Sequence, residues 1–304
     1  MKILSGGGLK TNDARRWQSE PHVSRSIELL DAAFDHLGAN DFRVFRMSSS
    51  TVPYGTHPDL PHLDFRRQIE ECADDLATLG AKARAYGIRL STHPGQYSVL
   101  NSETEAIAAK ARLDVEQDAL LLDTLGAGPE AVVVIHVGAR GRDRAAALDR
   151  FTRSYEQLSE SAQRRLAVEH DERLFDVADV LELHARLGCT VIFDHHHHRC
   201  NLAPGYEDPA RAIAEVCATW PDGVRPKLHI SSPRTELRAG GRAPLLDQHA
   251  DFVTPWDLRD LLDGARRPVD VMVEAKAKDL AVVWLRKQLE RLWPEYAEAE
   301  ERAG

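Results

Sequence analysis

The chain has 304 residues, is 43% hydrophobic and 29% charged, and carries a formal net charge of −9. That is the composition of a soluble globular protein, long enough for one large α/β domain or two ordinary ones. It excludes a membrane span, since no apolar run approaches the roughly 20 residues required, and it argues against indiscriminate nucleic-acid binding.

The opening MKILSGGGLK is too short and glycine-rich for a secretory signal, so a cytoplasmic protein is expected. Within it, KILSG (2–6) is a weak first strand. FRVFRM (42–47) is a clearer one. From Phe65 to Tyr86, Phe65, Ile69, Cys72, Leu76, Leu79 and Ala83 recur at three- and four-residue steps, which predicts one amphipathic helix. IRLSTH (88–93), AVVVIH (131–136), LAVEH (166–170), TVIFD (190–194), KLHIS (227–231) and VDVMVE (269–274) are aliphatic runs of the length of buried parallel strands. Helical stretches separate them, the last from Leu280 to about Tyr296, ahead of an acidic tail at 295–304. Eight βα units in roughly 300 residues predict an α/β fold of one domain over 1–304, a single (β/α)8 TIM-type barrel. No G-x-G-x-x-G follows a strand, which removes the usual reason to prefer a Rossmann fold. The loops at 48–62 and 232–250 are long, and long βα loops are commonly functional.

The four cysteines, Cys72, Cys189, Cys200 and Cys217, include no C-x-x-C pair. A disulfide framework or thiolate zinc site is therefore not expected. Fourteen histidines are a richer source of chemistry. Acids gather in EECADD (70–75), DVEQDA (114–119) and EYAEAEER (295–302). By contrast GARGRDR (138–144), HHRC (197–200) and PRTELRAGGR (233–242) are locally basic, so a basic rim on an acidic body is compatible with a phosphate-rich ligand.

Six predicted strands end in, or carry near their carboxyl end, a metal-ligand residue: His93, His136, Glu169, Asp194, His229 and Glu274. Each alone has an ordinary explanation, as a hydrogen-bonded loop histidine or a capping acid. Together they would meet at the C-terminal face of a barrel, where catalytic groups collect. Carboxylates and imidazoles converging there are costly unless cations neutralise them. A His/Asp/Glu set without cysteine suits Mn²⁺ or Zn²⁺, and Mg²⁺ less well. In FDHHHHRC (193–200), Asp194 ends a strand, and His197, three residues on across a turn, can face the same ion. His195, His196 and His198 are then expected in a loop. A solvated polar turn is the plain alternative. Lys227 lies two residues before His229 and shares its face of the strand. Beside cations it must be neutral, lie near a carboxylate, or be carboxylated.

HPGQY (93–97), VEH (168–170), FDHHHH (193–198), KLHIS (227–231), HADF (249–252) and MVEAKAKD (272–279), with SSSTVPYGTHP (48–58), resemble the UV damage endonuclease family over about residues 42–280. The resemblance implies a TIM-type barrel related to endonuclease IV. It implies two or three divalent ions, usually Mn²⁺, and damaged double-stranded DNA as partner, nicked 5′ to the photoproduct. Carried over by motif, it places metal ligands at His57, His93, His136, Glu169, Asp194, His197, His229, His249 and Glu274, and a carboxylated lysine at Lys227. Gln96 and Tyr97 match the family's probe pair. A cross-linked dimer pairs poorly and is cheaper to extrude than normal bases, and a side-chain wedge can fill the gap. The N-terminal stretch departs from the family pattern, which bears on lesion recognition more than on metal chemistry. Asn12 is a weak candidate lesion contact.

The expected activity is metal-dependent hydrolysis of the phosphodiester 5′ to pyrimidine dimers, and of abasic sites, with Glu169, Lys227 and His229 as catalytic residues. Arg140, Arg142 and Arg199 are expected on backbone phosphates, with exposed surface arginines as the plain alternative. No obligate protein partner is implied. The rival enzyme is a metal-dependent sugar isomerase or epimerase of the xylose-isomerase-like barrels, which needs a small closed pocket and fewer histidines. A third reading is a lesion or metal binder without turnover.

Overall fold

The structure, a computed structural model, describes residues 2–5, 7, 9–10, 12, 16–95, 97–238 and 240–296. Gln96 and the tail from 297 lie outside the described residues. The weak N-terminal strand shrinks to β1 (Lys2–Ile3), which forms a separate two-stranded sheet with β2 (Leu9–Lys10). Seven of the eight expected strands therefore form the parallel ladders described below. With a glycine-rich stretch after Ile3, too little side-chain surface remains to hold a longer strand.

The chain divides into two compact units. The first comprises residues 8–169 with 183–190, together with 1–2. Its elements are α1 (Val23–Ala39), β3 (Val44–Arg46), α2 (Phe65–Glu71), α3 (Ala73–Ala85), β4 (Arg89–Thr92), α4 (Glu105–Thr124), β5 (Val132–His136), α5 (Arg144–Tyr155), α6 (Glu160–Arg165) and β6 (Leu166–Glu169). The helix expected over 65–86 is broken at Cys72, whose φ of −119° and ψ of 21° interrupt the helical run. Both pieces keep the predicted apolar face, with Phe65, Ile69, Leu76, Leu79 and Ala83 buried. Periodicity therefore survives a break that no proline or glycine announces.

The strands pair in parallel in the order β3–β4–β5–β6. β5 and β6 are aliphatic runs buried on both faces, as strands covered by helices must be. Their register sets His136 opposite Glu169.

The second unit comprises 170–182 and 191–304, with 3–7. After α7 (Val177–Leu187), which spans the division of the chain, come β7 (Thr190–Asp194), α8 (His195–Cys200), α9 (Pro209–Ala218), β8 (Lys227–Ile230), α10 (Pro255–Ala265), β9 (Asp270–Val273) and α11 (Asp279–Leu292). Prolines at the first turns of α9 and α10 follow capping Asp208 and Thr254, where a missing N–H costs nothing. β7, β8 and β9 are parallel neighbours, and the register sets Asp194 opposite His229. Among the described residues, no helix is long and apolar enough to cross a membrane.

Candidate metal centre

In the first unit, three of the predicted ligands meet. His93 follows β4, His136 ends β5 and Glu169 ends β6, and one ligand atom from each lies within 4.8 Å of the others. The Nε2 atoms of His93 and His136 stand 3.5 and 3.8 Å from the buried Glu169 Oε2. His93 Nδ1 donates to the Pro94 carbonyl at 2.9 Å. That bond puts the proton on Nδ1 and leaves an Nε2 lone pair facing the cluster, the arrangement that metal-binding imidazoles require.

In the second unit, Asp194, His229 and Glu274 approach within the same 4.8 Å. His229 Nδ1 is 3.3 Å from Glu274 Oε1, and the Glu274 N–H is held by the Ile230 carbonyl at 2.8 Å. The two oxygens of Asp194 differ. Oδ1 accepts from the N–H groups of His196 and His197, both at 2.7 Å, and so caps α8. Oδ2 is buried with no hydrogen-bond partner among the described residues. A buried, unsatisfied carboxylate oxygen is costly, and a divalent cation held with His229 and Glu274 removes that cost. The donors present therefore fit a hard or borderline cation such as Mn²⁺ or Zn²⁺.

The four-histidine run corrects the sequence expectation of a loop: His195–Cys200 is a helix, and all four rings are buried. Burial pushes His195, His196 and His198 below the usual imidazole value, so these rings pack as neutral groups. His197 Nδ1 donates to the His170 carbonyl at 3.0 Å, and His249 Nδ1 donates to the Glu274 carbonyl at 3.0 Å. Both rings therefore have the tautomer of a ligand through Nε2, with centroids 6.3 Å apart, yet neither belongs to the two tight sets. His57 is exposed and also stands outside them. Its Nδ1 accepts from the Asp59 N–H at 3.3 Å, which favours the opposite tautomer.

Lys227 is fully buried on the same strand as His229, and its neighbour in register on β9 is the buried Asp270. Of the three ways to hold a lysine there, a nearby carboxylate is the one this register supplies.

The remaining candidates sit on loops. Tyr97 is 83% exposed. Arg140 and Arg142 are exposed after β5. Arg199 donates to Asp257 Oδ1 at 2.6 Å and keeps an exposed edge. Burial raises the Asp257 carboxyl, but the bonds from Arg199 and Ser232 overcome this and hold it below the usual carboxylate value. The Asn12 amide is bonded to the His22 carbonyl and Ser26 Oγ.

Sequence reasoning missed several residues. His170 Nε2 accepts from the Asp194 N–H at 3.1 Å. Asp270 neighbours Lys227, and Asp257 holds Arg199. Asp114, on α4, accepts from Thr56 Oγ1 at 2.6 Å and Ser98 Oγ at 2.7 Å. Asn101 exchanges two bonds with the Ala139 backbone. None carries a local signal, because each works through a partner distant in sequence. Gln96 lies outside the described residues.

Residues 22–298 match the UV-endonuclease UvdE family. A UV DNA damage endonuclease of Bacillus pumilus is 30% identical over 276 residues, covering 89% of this chain and 81% of that protein. The crystal structure of SacUVDE superposes with a TM-score of 0.80 at 28% identity, over 95% of this chain and 96% of the other. Endonuclease IV from Thermus thermophilus reaches 0.57 at 18% identity, covering 86% and 94%. L-ribulose 3-epimerase reaches 0.54 at 15%, covering 88% and 78%. The last two likenesses show the fold alone, a TIM-type barrel, and give the epimerase reading no further support.

Proposed function

The chain belongs to the UV-endonuclease UvdE family and is a UV-damage repair endonuclease, a phosphodiester hydrolase acting on DNA; from that premise we propose that it nicks duplex DNA 5′ to pyrimidine dimers, and at abasic sites, with divalent cations. The observation that carries the metal dependence is the buried Asp194 Oδ2 beside His229 and Glu274, without a hydrogen-bond partner among the described residues. In this reading His93, His136 and Glu169 hold one ion. Asp194, His229 and Glu274 would hold a second, and His197 and His249 would hold a third. Bound Mn²⁺ would lower the pKa of a coordinated water and offset charge on the departing 3′-oxygen.

The chain's own groups do the rest. The carbonyls of Pro94, His170 and Glu274 keep three imidazoles in the ligating tautomer. Gln96 and the exposed Tyr97 would occupy the gap left by the extruded dimer. Arg140, Arg142 and the exposed edge of Arg199 would meet phosphates. Lys227 would be carboxylated, as the resemblance implies, or be an ammonium whose charge Asp270 offsets; intact mass of the native protein separates these. We place the activity in the cytoplasm.

The test is an electrophoretic nicking assay on UV-irradiated, abasic and intact duplexes with Mn²⁺, Zn²⁺ or Mg²⁺ in turn. The expected product carries a 3′-hydroxyl and a 5′-phosphate. Glu169→Gln should cost at least the roughly 10–100-fold typical when groups supporting a metal ligand are lost. Equal cleavage of intact duplex, or full activity of Glu169→Gln, would refute the assignment.

A further inference from the structure

The basic loop after β8 is not absorbed by the chemistry above. It folds as an antiparallel arm. At its base Pro233 bridges to His249, and the Arg234 N–H bonds to the Gln248 carbonyl at 2.7 Å. At its tip Arg238 bridges to Arg242, the Arg238 N–H bonds to the Arg242 carbonyl at 2.7 Å, and Gly241 closes the turn onto the Arg238 carbonyl at 3.0 Å. Gly240 and Gly241 have φ of 77° and 74°, a conformation that side chains resist. The base is tied to the second-unit cluster, because His249 Nδ1 bonds to the Glu274 carbonyl and the Lys276 N–H bonds to the Ala250 carbonyl.

This turn sets two guanidinium-bearing residues directly opposite each other. Like charges in that position across an antiparallel pair destabilise it. Among the described residues neither Arg238 nor Arg242 has an acidic partner within ion-pair distance, whereas Arg234 has Glu236 at 3.6 Å and Asp247 is taken by Arg173. On the same arm Leu237, Leu245 and Leu246 are 65%, 51% and 55% exposed. Unneutralised cations flanked by bare apolar side chains suit a ligand with regularly spaced anions and an apolar surface between them. On a chain of net charge −9, such an arm is a local provision against a repulsive background.

We propose that the hairpin formed by 233–238 and 240–249 is a DNA-gripping arm, in which Arg238 and Arg242 clamp backbone phosphates of the duplex and the exposed leucines lie against its sugars. The proposal rests on the reading of duplex DNA as substrate. Phosphate contacts carry no sequence or lesion information, so the arm contributes affinity for irradiated and intact duplex alike, while discrimination is left to the loop of Gln96 and Tyr97.

The test measures binding of the full-length protein with Mn²⁺ to irradiated and intact duplexes over graded salt, using the slow Glu169→Gln variant as background. Adding Arg238→Gln and Arg242→Gln should flatten the dependence of log affinity on log salt by about 2, the slope of two lost phosphate contacts, equally for both duplexes. Arg238→Lys with Arg242→Lys should restore it, which separates charge from misfolding. Leu237→Ser with Leu246→Ser should weaken binding at unchanged slope. An unchanged slope in the double glutamine variant, while the parent binds irradiated duplex, overturns the arm alone. Failure of the wild-type protein to bind or nick any duplex overturns the arm together with the substrate reading.

Discussion

Asp194 shows how one residue can serve the fold and the chemistry together. Its Oδ1 satisfies two N–H groups at the start of α8 while Oδ2, buried with no hydrogen-bond partner among the described residues, would be free to ligate the proposed cation. Asp118, on α4, presents the opposite case, a carboxyl buried with no assigned chemistry. Burial pushes it up from 3.8 to about 7. Because its folded value exceeds the unfolded one, the native state holds the proton over that interval. Stability from this group is full below about pH 4 and falls away through about pH 7, by a few kcal/mol at ~1.4 kcal/mol per unit. Asp118→Asn should remove that loss, so its melting temperature should gain on wild type as pH rises from about 5 to about 8. Parallel melting curves for the two proteins would contradict the assignment.

At the scale of elements, α4 and the loops of the first unit behave as one braced assembly. Asp114 holds Thr56 in the 48–62 loop and Ser98 beside Tyr97, and Lys110 lies 2.9 Å from the same carboxylate. Asn101 exchanges two bonds with the Ala139 backbone just before Arg140. Its approach requires Gly138, where φ is 108° and a Cβ would lie 2.6 Å from Asn101 Oδ1. Loops that carry binding residues need such bracing to hold them in place. Asp114→Ala removes an acceptor shared by three donors and should cost about 1–3 kcal/mol. Amide exchange should quicken in 54–58 and 95–101 but not within α4, as measured by mass spectrometry. Unaltered exchange in both loops would show that Asp114 does not brace them.

For the whole molecule, the acids at the strand ends would link stability to cations if the proposed ions bind. An ion that binds the folded form alone contributes about 2.7 kcal/mol at a concentration 100-fold above its dissociation constant. Chelation should therefore lower the melting temperature as well as abolish nicking, and added Mn²⁺ should restore both. The calorimetric transition should stay single in each state if the chain unfolds as one domain. Superimposable melts with and without chelator would remove the case for a resident ion.

The sequence by itself determined the alternation of strands and helices and the residues that terminate them. Both are local properties: an aliphatic run of strand length is legible in place, and so is the His, Asp or Glu that ends it. The apolar face of 65–86 was legible for the same reason, while its break at Cys72 was not. Tertiary structure decided what those residues meet. Strand register put His136 opposite Glu169, Asp194 opposite His229 and Lys227 beside Asp270. Packing turned the histidine run from an expected loop into a buried helix, capped by the Asp194 carboxylate. Contacts between segments far apart in the chain enlisted His170, Asp114 and Asn101. Register, burial and long-range hydrogen bonds depend on which segments become neighbours, and no short stretch of sequence carries that information.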